Sequence, residues 1–200
     1  MSTKTHNLRI GCAVLAAGSS TRLGRPKQLL SYCGAPLIHR IGAEVLASGC
    51  HAAAVVTGCN GQEVALAVAE LAIETLDNPR WSEGVAASIR VATAWAAQRE
   101  LDELLLAACD QVHLSAAHLR ELMARCERVT DIVASGYAGT AGIPALFGAA
   151  WYPQLLQLQG DRGAGELLRA NAATQLVAWP AGEHDIDTEH DVARIGHGFA

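Results

Sequence analysis

Short unbroken apolar runs alternate along the chain with stretches in which apolar positions recur every three or four residues. Arg9–Ala16 is such a run, bounded by glycine, and predicts a buried parallel strand. Gly18–Lys27, rich in Gly, Ser, Thr and Pro, predicts a loop. Pro36 suits the first turn of a helix, and Leu37, Ile38, Ile41, Val45 and Leu46 follow at helical spacing until Ser48-Gly49. Ala52–Thr57 predicts a second strand and Gln62–Leu71 a second helix.

The alternation continues. Glu74–Leu76 reads as a brief strand entering the Asp77-Asn78-Pro79 turn, and Gly84–Gln98 as a helix with Ile89, Ala92 and Trp95 on one face. Glu103–Cys109 is the clearest buried strand and stops abruptly at Asp110. Ser115 is placed to cap a helix running to Arg128. Asp131–Ser135 is a strand, and Gly136–Gly148 a turn or hairpin leading into Pro144–Phe147. Ala164–Ala170, Gln175–Trp179 and Thr188–Arg194 read as helix, strand and helix. Strands alternating with helices predict an α/β three-layer sandwich with a mostly parallel, Rossmann-like sheet. No linker or repeat divides it, so one domain over residues 1–200, with a core at about 9–195, is expected.

Composition narrows the function classes. Half of the 200 residues are apolar and only 18% are charged, which suits a packed core and not a disordered chain. A net charge of −5 without a basic run argues against nucleic acid as partner, so any phosphate site needs its own local Arg and Lys. The polar N-terminus and short apolar runs give no signal peptide or membrane span, and a cytoplasmic location is expected. Six cysteines without a C-x-x-C pair fit neither a zinc site nor a disulfide framework; Cys12 and Cys109 read as small core residues.

The chemistry concentrates in Leu15-Ala16-Ala17-Gly18-Ser19-Ser20-Thr21-Arg22-Leu23-Gly24-Arg25-Pro26-Lys27, directly after the first strand. Ligands of open α/β sheets bind beyond the carboxyl ends of strands. Glycines there let backbone N–H groups approach phosphate oxygens, Arg22 offers a planar fork and Lys27 a point charge. Neither G-x-x-x-x-G-K-[ST] nor G-x-G-x-x-G fits the segment. The plain alternative is a glycine-rich surface turn with two solvated cations.

This segment resembles the N-terminal signature L-A-A-G-x-S-x-R-x-G-x-x-K of the MobA-like nucleotidyltransferases, whose fold is of the nucleotide-diphospho-sugar transferase type. Further blocks resemble the molybdenum cofactor cytidylyltransferase branch: Asn78-Pro79-Arg80-Trp81-Ser82-Glu83-Gly84 through Ser88-Ile89-Arg90, Ala108-Cys109-Asp110-Gln111, Gly160-Asp161-Arg162-Gly163-Ala164 and Asp185-Ile186-Asp187-Thr188. The resemblance implies transfer of CMP from CTP to the molybdopterin form of molybdenum cofactor, with Mg²⁺ as cofactor and release of pyrophosphate. A molybdoenzyme or its chaperone is then an implied protein partner, and no membrane is involved. Three alternatives stand beside it: a related transferase using GTP or another phosphorylated acceptor, a non-catalytic carrier of nucleotide or cofactor, and an oxidoreductase on the same scaffold.

By the same resemblance, Leu15, Ala16, Ala17, Gly18, Ser19, Arg22, Lys27, Gly84 and Ser88 bind nucleotide, and Arg22, Lys27 and Asp110 are catalytic. Asp110 and Asp187 hold the metal, with Asp185 the nearby competitor; carboxylates are the oxygen ligands Mg²⁺ prefers. Otherwise Asp110 merely ends a strand and Asp187 caps a helix. Ala17, where guanylyl relatives carry glycine, favours the smaller pyrimidine. Asp161 and Arg162 are assigned to the acceptor, beside a helix N-terminus. The chain departs from the branch at Val112, at Ile143 before Pro144, and at Glu189-His190 after Thr188.

Overall fold

The computed structural model describes residues 8–196, 198 and 199. The first apolar run forms β1, Ile10–Leu15. After the loop, Ser31–Tyr32 (β2) and Ala35–Pro36 (β3) form a small hairpin that the sequence pattern did not announce. Its turn residues Cys33 and Gly34 both have positive φ, 52° and 83°, as a tight two-residue hairpin turn requires. Pro36 then leads into α1, Leu37–Ala47, followed by β4, Ala52–Thr57.

Helix α2, Gly61–Ala67, is shorter than the apolar spacing predicts. The N–H groups of Val68 and Ala69 turn to the carbonyls three residues back, which tightens the chain and ends the helix. Next come β5, Glu74–Asp77; α3, Val85–Gln98; and β6, Glu103–Ala108. Ser115 caps α4, Ala116–Ala124, by accepting from His118 N–H, and the same tightening at Arg125 and Cys126 stops it short of Arg128. Strands β7, Ile132–Tyr137, and β8, Thr140–Gly148, make the hairpin anticipated over Gly136–Gly148. The chain closes with α5, Tyr152–Leu156; α6, Gly165–Ala170; β9, Gln175–Ala178; and α7, Glu189–Ile195.

Seven strands form one sheet in the order β5-β4-β1-β6-β8-β7-β9. All pairings are parallel except those of β8, which runs against both β6 and β7. The central strands alternate sides. Cys12, Val14, Val55 and Leu105 pack under α1, α2 and α4, while Ala13, Val56, Leu104 and Leu106 pack against α3, α5 and α6. Each fully buried leucine of this kind contributes roughly 1.5–3 kcal/mol, so the sheet is the rigid base of the molecule. The result is the expected three-layer α/β sandwich. No described helix is long and apolar enough to cross a membrane.

Candidate active site

The parallel strands β1, β4 and β6 end at one edge of the sheet, and the 16–27 segment crosses that edge. There it borders a cleft of about 500 Å³. Leu15, Ala17, Trp81, Val85, Tyr137 and Ile143 make its apolar walls, and Lys27, Asp110, Asp161 and Asp185 its charged ones. Gly18, Ser19, Gly84, Ser88 and Gln111 also line it.

Lys27 sits in a single helical turn, Lys27–Leu29, that aims its ammonium across the cleft. Its Nζ lies 2.6 Å from Asp110 Oδ2, 3.0 Å from Asp187 Oδ1 and 3.3 Å from the Ile186 carbonyl. Arg22, itself largely solvent-exposed, reaches the same group through a 2.7 Å contact with Asp187 Oδ2. Burial alone would lower the Lys27 pKa; the charge and hydrogen bond of Asp110 outweigh it, so the pKa is raised and the ammonium stays charged.

Two backbone contacts bring the C-terminal segment to this place. Gln111 and Asp185 form an antiparallel bridge, and Ile186 N–H donates to the Asp110 carbonyl at 3.3 Å. Thr188, not Asp187, caps α7: its hydroxyl accepts from Asp191 N–H while the Asp191 carboxylate accepts from Thr188 N–H. The Asp187 carboxylate is thereby left to face the cations. Asp185 is the odd member. Its Oδ1 is buried without a protein partner, and burial, with the charges of Asp110 and Asp187, pushes its pKa up to about 7.

These side chains fit a divalent cation as an open site. Two carboxylates from distant segments converge on one cationic position, now taken by Lys27, with the unpartnered Asp185 oxygen nearby. Among the described residues no three His, Cys, Asp or Glu side chains form a closed cage. A hard divalent cation suits such a half-set, since it can take one or two carboxylates and complete its shell with phosphate oxygens and water.

The remaining candidates are placed as follows. Ser88, on α3, is buried and accepts a 3.0 Å hydrogen bond from Asn78 Nδ2, a group whose motif block was legible but whose role was not. Gly84 has φ 104°, and a Cβ there would lie 2.5 Å from Asp161 Oδ1, so the 84–88 and 160–161 segments close on each other only with glycine. The Ala17 methyl is packed against Gly58, where an added Cβ would fall 2.7 Å from both Ala17 Cβ and Trp81 Cβ. Ala16 is buried behind the cleft. Asp161 lines the cleft; Arg162 does not, being 72% exposed and 3.9 Å from Glu166 on the outer surface.

Two residues of this site, Tyr137 and Gln28, escaped the sequence reading. Tyr137 Oη and Gln111 Nε2 both donate to the Ile143 carbonyl, at 3.0 and 2.7 Å, fixing the wall opposite the loop. Gln28, fully buried, lies beneath the loop itself; a polar residue before the apolar Leu29-Leu30 was the available signal.

No curated protein matches the chain in sequence. Among solved structures, Rv0371c from Mycobacterium tuberculosis H37Rv is similar over 94% of this chain and 97% of its own, at 28% identity and a TM-score of 0.81. A nucleotidyl transferase from Methanothermobacter, Mth528, is similar over 94% and 96%, at 25% identity and a TM-score of 0.81. A structure of Rv0371c in complex with manganese gives 26% identity and a TM-score of 0.78, over 94% of this chain and 97% of that one. The model of the MobA-like NTP transferase domain matches residues 12–176. With that match over most of its length, and nucleotidyltransferase structure around it, the chain belongs to the MobA-like NTP transferase domain family.

Proposed function

We propose that the protein transfers CMP from CTP to a phosphorylated pterin acceptor, the molybdopterin form of molybdenum cofactor, and releases pyrophosphate. The observation that carries the reading is the convergence of Lys27, Asp110 and Asp187 at the sheet edge beneath the glycine-bearing loop. An NTP transferase of this family takes a nucleoside triphosphate, and the cleft offers that substrate a charged end, where Lys27 stands among Asp110, Asp161 and Asp185, and an apolar end.

The loop N–H groups, Arg22 and Lys27 hold the β and γ phosphates. Lys27, charged in the resting protein, exchanges its carboxylate partners for phosphate oxygens without having to gain a proton. Asp110 and Asp187 would hold Mg²⁺, which neutralises charge on the phosphates; the manganese complex of Rv0371c supports a divalent ion in a structure of this shape. An acceptor phosphate oxygen attacks the α-phosphorus in line, the bond to the bridging oxygen breaks, and pyrophosphate departs. A phosphate monoester is already nucleophilic at neutral pH, so positioning and charge neutralisation carry the catalysis.

The cytidine preference rests on Ala17. Ala17 lines the cleft and its methyl packs against Gly58, and on this reading the methyl leaves the base side narrower than a glycine would. Asp161, which lines the cleft, and its exposed neighbour Arg162 are assigned to the acceptor. Incubation with CTP, GTP or ATP, Mg²⁺ and molybdenum cofactor, followed by mass analysis, tests it. A cytidine dinucleotide with stoichiometric pyrophosphate is expected; no product with any triphosphate would end the reading.

A further inference from the structure

Three consecutive carbonyls of the loop are engaged by donors of the protein itself. Gln28 Nε2 donates to the Ala16 carbonyl at 2.9 Å and to the Gly18 carbonyl at 2.7 Å. Between them, the Ala17 carbonyl accepts from Cys59 N–H at 3.1 Å. The Gln28 side chain is 1% exposed, so these bonds form away from solvent. Its Oε1 is in turn approached by Ser20 Oγ at 3.4 Å, and Ser20 Oγ accepts from Lys27 N–H at 3.0 Å. Ser20 holds a φ of 55°, a left-handed conformation that non-glycine residues adopt only when their surroundings impose it.

Turning a carbonyl inward turns the neighbouring N–H outward. Among the described residues, no protein acceptor pairs with the N–H groups of Ala17, Gly18, Ser19 or Ser20. Successive unpaired N–H groups in a loop of mixed handedness make an anion-binding concavity. A single carbonyl pointing the other way would set a negative dipole against the phosphates.

We infer that Gln28 is a positioning residue for triphosphate binding: its carboxamide locks the loop with carbonyls inward and N–H groups facing the anion. The inference rests on the reading of the 18–27 loop as the triphosphate site. Only glutamine suits the position. Glutamate has the shape without the two donors, asparagine is one methylene short, and a cation would be buried without a counter-charge. The same helical turn thus supplies Lys27 to the charge cluster and Gln28 to the loop.

The test is made on the full chain labelled with ¹⁵N, titrated with CTP and, separately, with inorganic tripolyphosphate. In the wild type the amide resonances of Ala17, Gly18 and Ser19 shift with both anions. Gln28→Met keeps size and apolar packing but removes both donors; two lost buried hydrogen bonds correspond to roughly tenfold or more in CTP affinity. In turnover the KM for CTP rises by that factor while the KM for the acceptor stays within about twofold. Unchanged CTP affinity in a folded Gln28→Met protein overturns the inference and leaves the reading of the loop intact. Wild-type loop amides that ignore both anions overturn both. Should the variant not fold, the wild type decides: the two Gln28 carboxamide protons must exchange slowly, with and without tripolyphosphate, and exchange at the rate of a free glutamine overturns the assignment.

Discussion

Lys27 Nζ and Asp110 Oδ2 lie 2.6 Å apart although 83 positions separate them in the chain. Both side chains are mostly sheltered, at 16% and 18% exposure, and Asp187 and Asp185 stand beside them. Lys27 is therefore the counter-charge of an acidic cluster, in addition to the phosphate-binding role proposed for it. Lys27→Met should lower stability by about 1–3 kcal/mol at neutral pH, because the carboxylates lose their partner in a partly desolvated site. It should also raise the KM for triphosphate and lower kcat together. Thermal melting and steady-state kinetics check the two effects; a variant as stable as the wild type would mean the cluster needs no counter-charge.

Asp110→Ala removes the carboxylate that follows β6. If it holds the divalent ion, turnover falls by at least about 100-fold in saturating Mg²⁺, since several kcal/mol of charge stabilisation are lost. A loss under about tenfold would separate Asp110 from the chemistry.

Gly18 gives a contrast between folding and binding. A Cβ at this position meets no atom within 4 Å, and the residue is exposed on the cleft. Gly18→Val should leave the melting temperature nearly unchanged yet raise the KM for triphosphate by about tenfold or more, because the added atoms occupy the approach of the phosphates. Equal KM values would place the phosphates elsewhere.

Ala17→Gly should widen the base side of the cleft. One methyl in a pocket is worth about 1–3 kcal/mol, so the ratio of kcat/KM for CTP over GTP should fall by about tenfold or more. An unchanged ratio would detach Ala17 from base choice.

Glu103, at the opposite end of β6 from Asp110, is fully buried with both carboxylate oxygens unpaired. Burial, with the charges of Asp102 and Asp131 nearby, raises its pKa from 4.5 to about 7. The folded protein then holds this proton more tightly than the unfolded chain does. Its stabilising effect is complete below pH 4.5 and is lost as pH rises through about 7, a change of up to about 3 kcal/mol. Glu103→Gln should flatten that slope in melting curves taken across the interval; a parallel slope in both proteins contradicts the assignment.

Much of this architecture was legible because the apolar runs are unambiguous. Ala52–Thr57 is a strand with the bounds its composition predicts, and Asp110 follows β6 where the apolar run breaks. Helix ends were less legible: α2 and α4 stop early through backbone tightening that apolar periodicity does not encode. The β2–β3 hairpin, with two residues on each side, is too short to show a period. In the site, charged residues within motifs were visible, whereas Gln28 and Tyr137 act through contacts with distant backbone. Arg162, a motif neighbour of Asp161, is largely exposed and borders a second, open pocket together with it. Asp185 and Asp187 lie beyond the 12–176 family match, and it is the Gln111–Asp185 bridge that brings them in.

The central claim is that the loop cations and the carboxylates of Asp110 and Asp187 form one triphosphate site. Calorimetric titration of CTP, with and without Mg²⁺, into the wild type and into the double variant Asp110→Asn/Asp187→Asn tests it most directly. The account predicts that Mg²⁺ strengthens CTP binding to the wild type by about tenfold or more and has no such effect on the double variant. Equal strengthening in both proteins would contradict it.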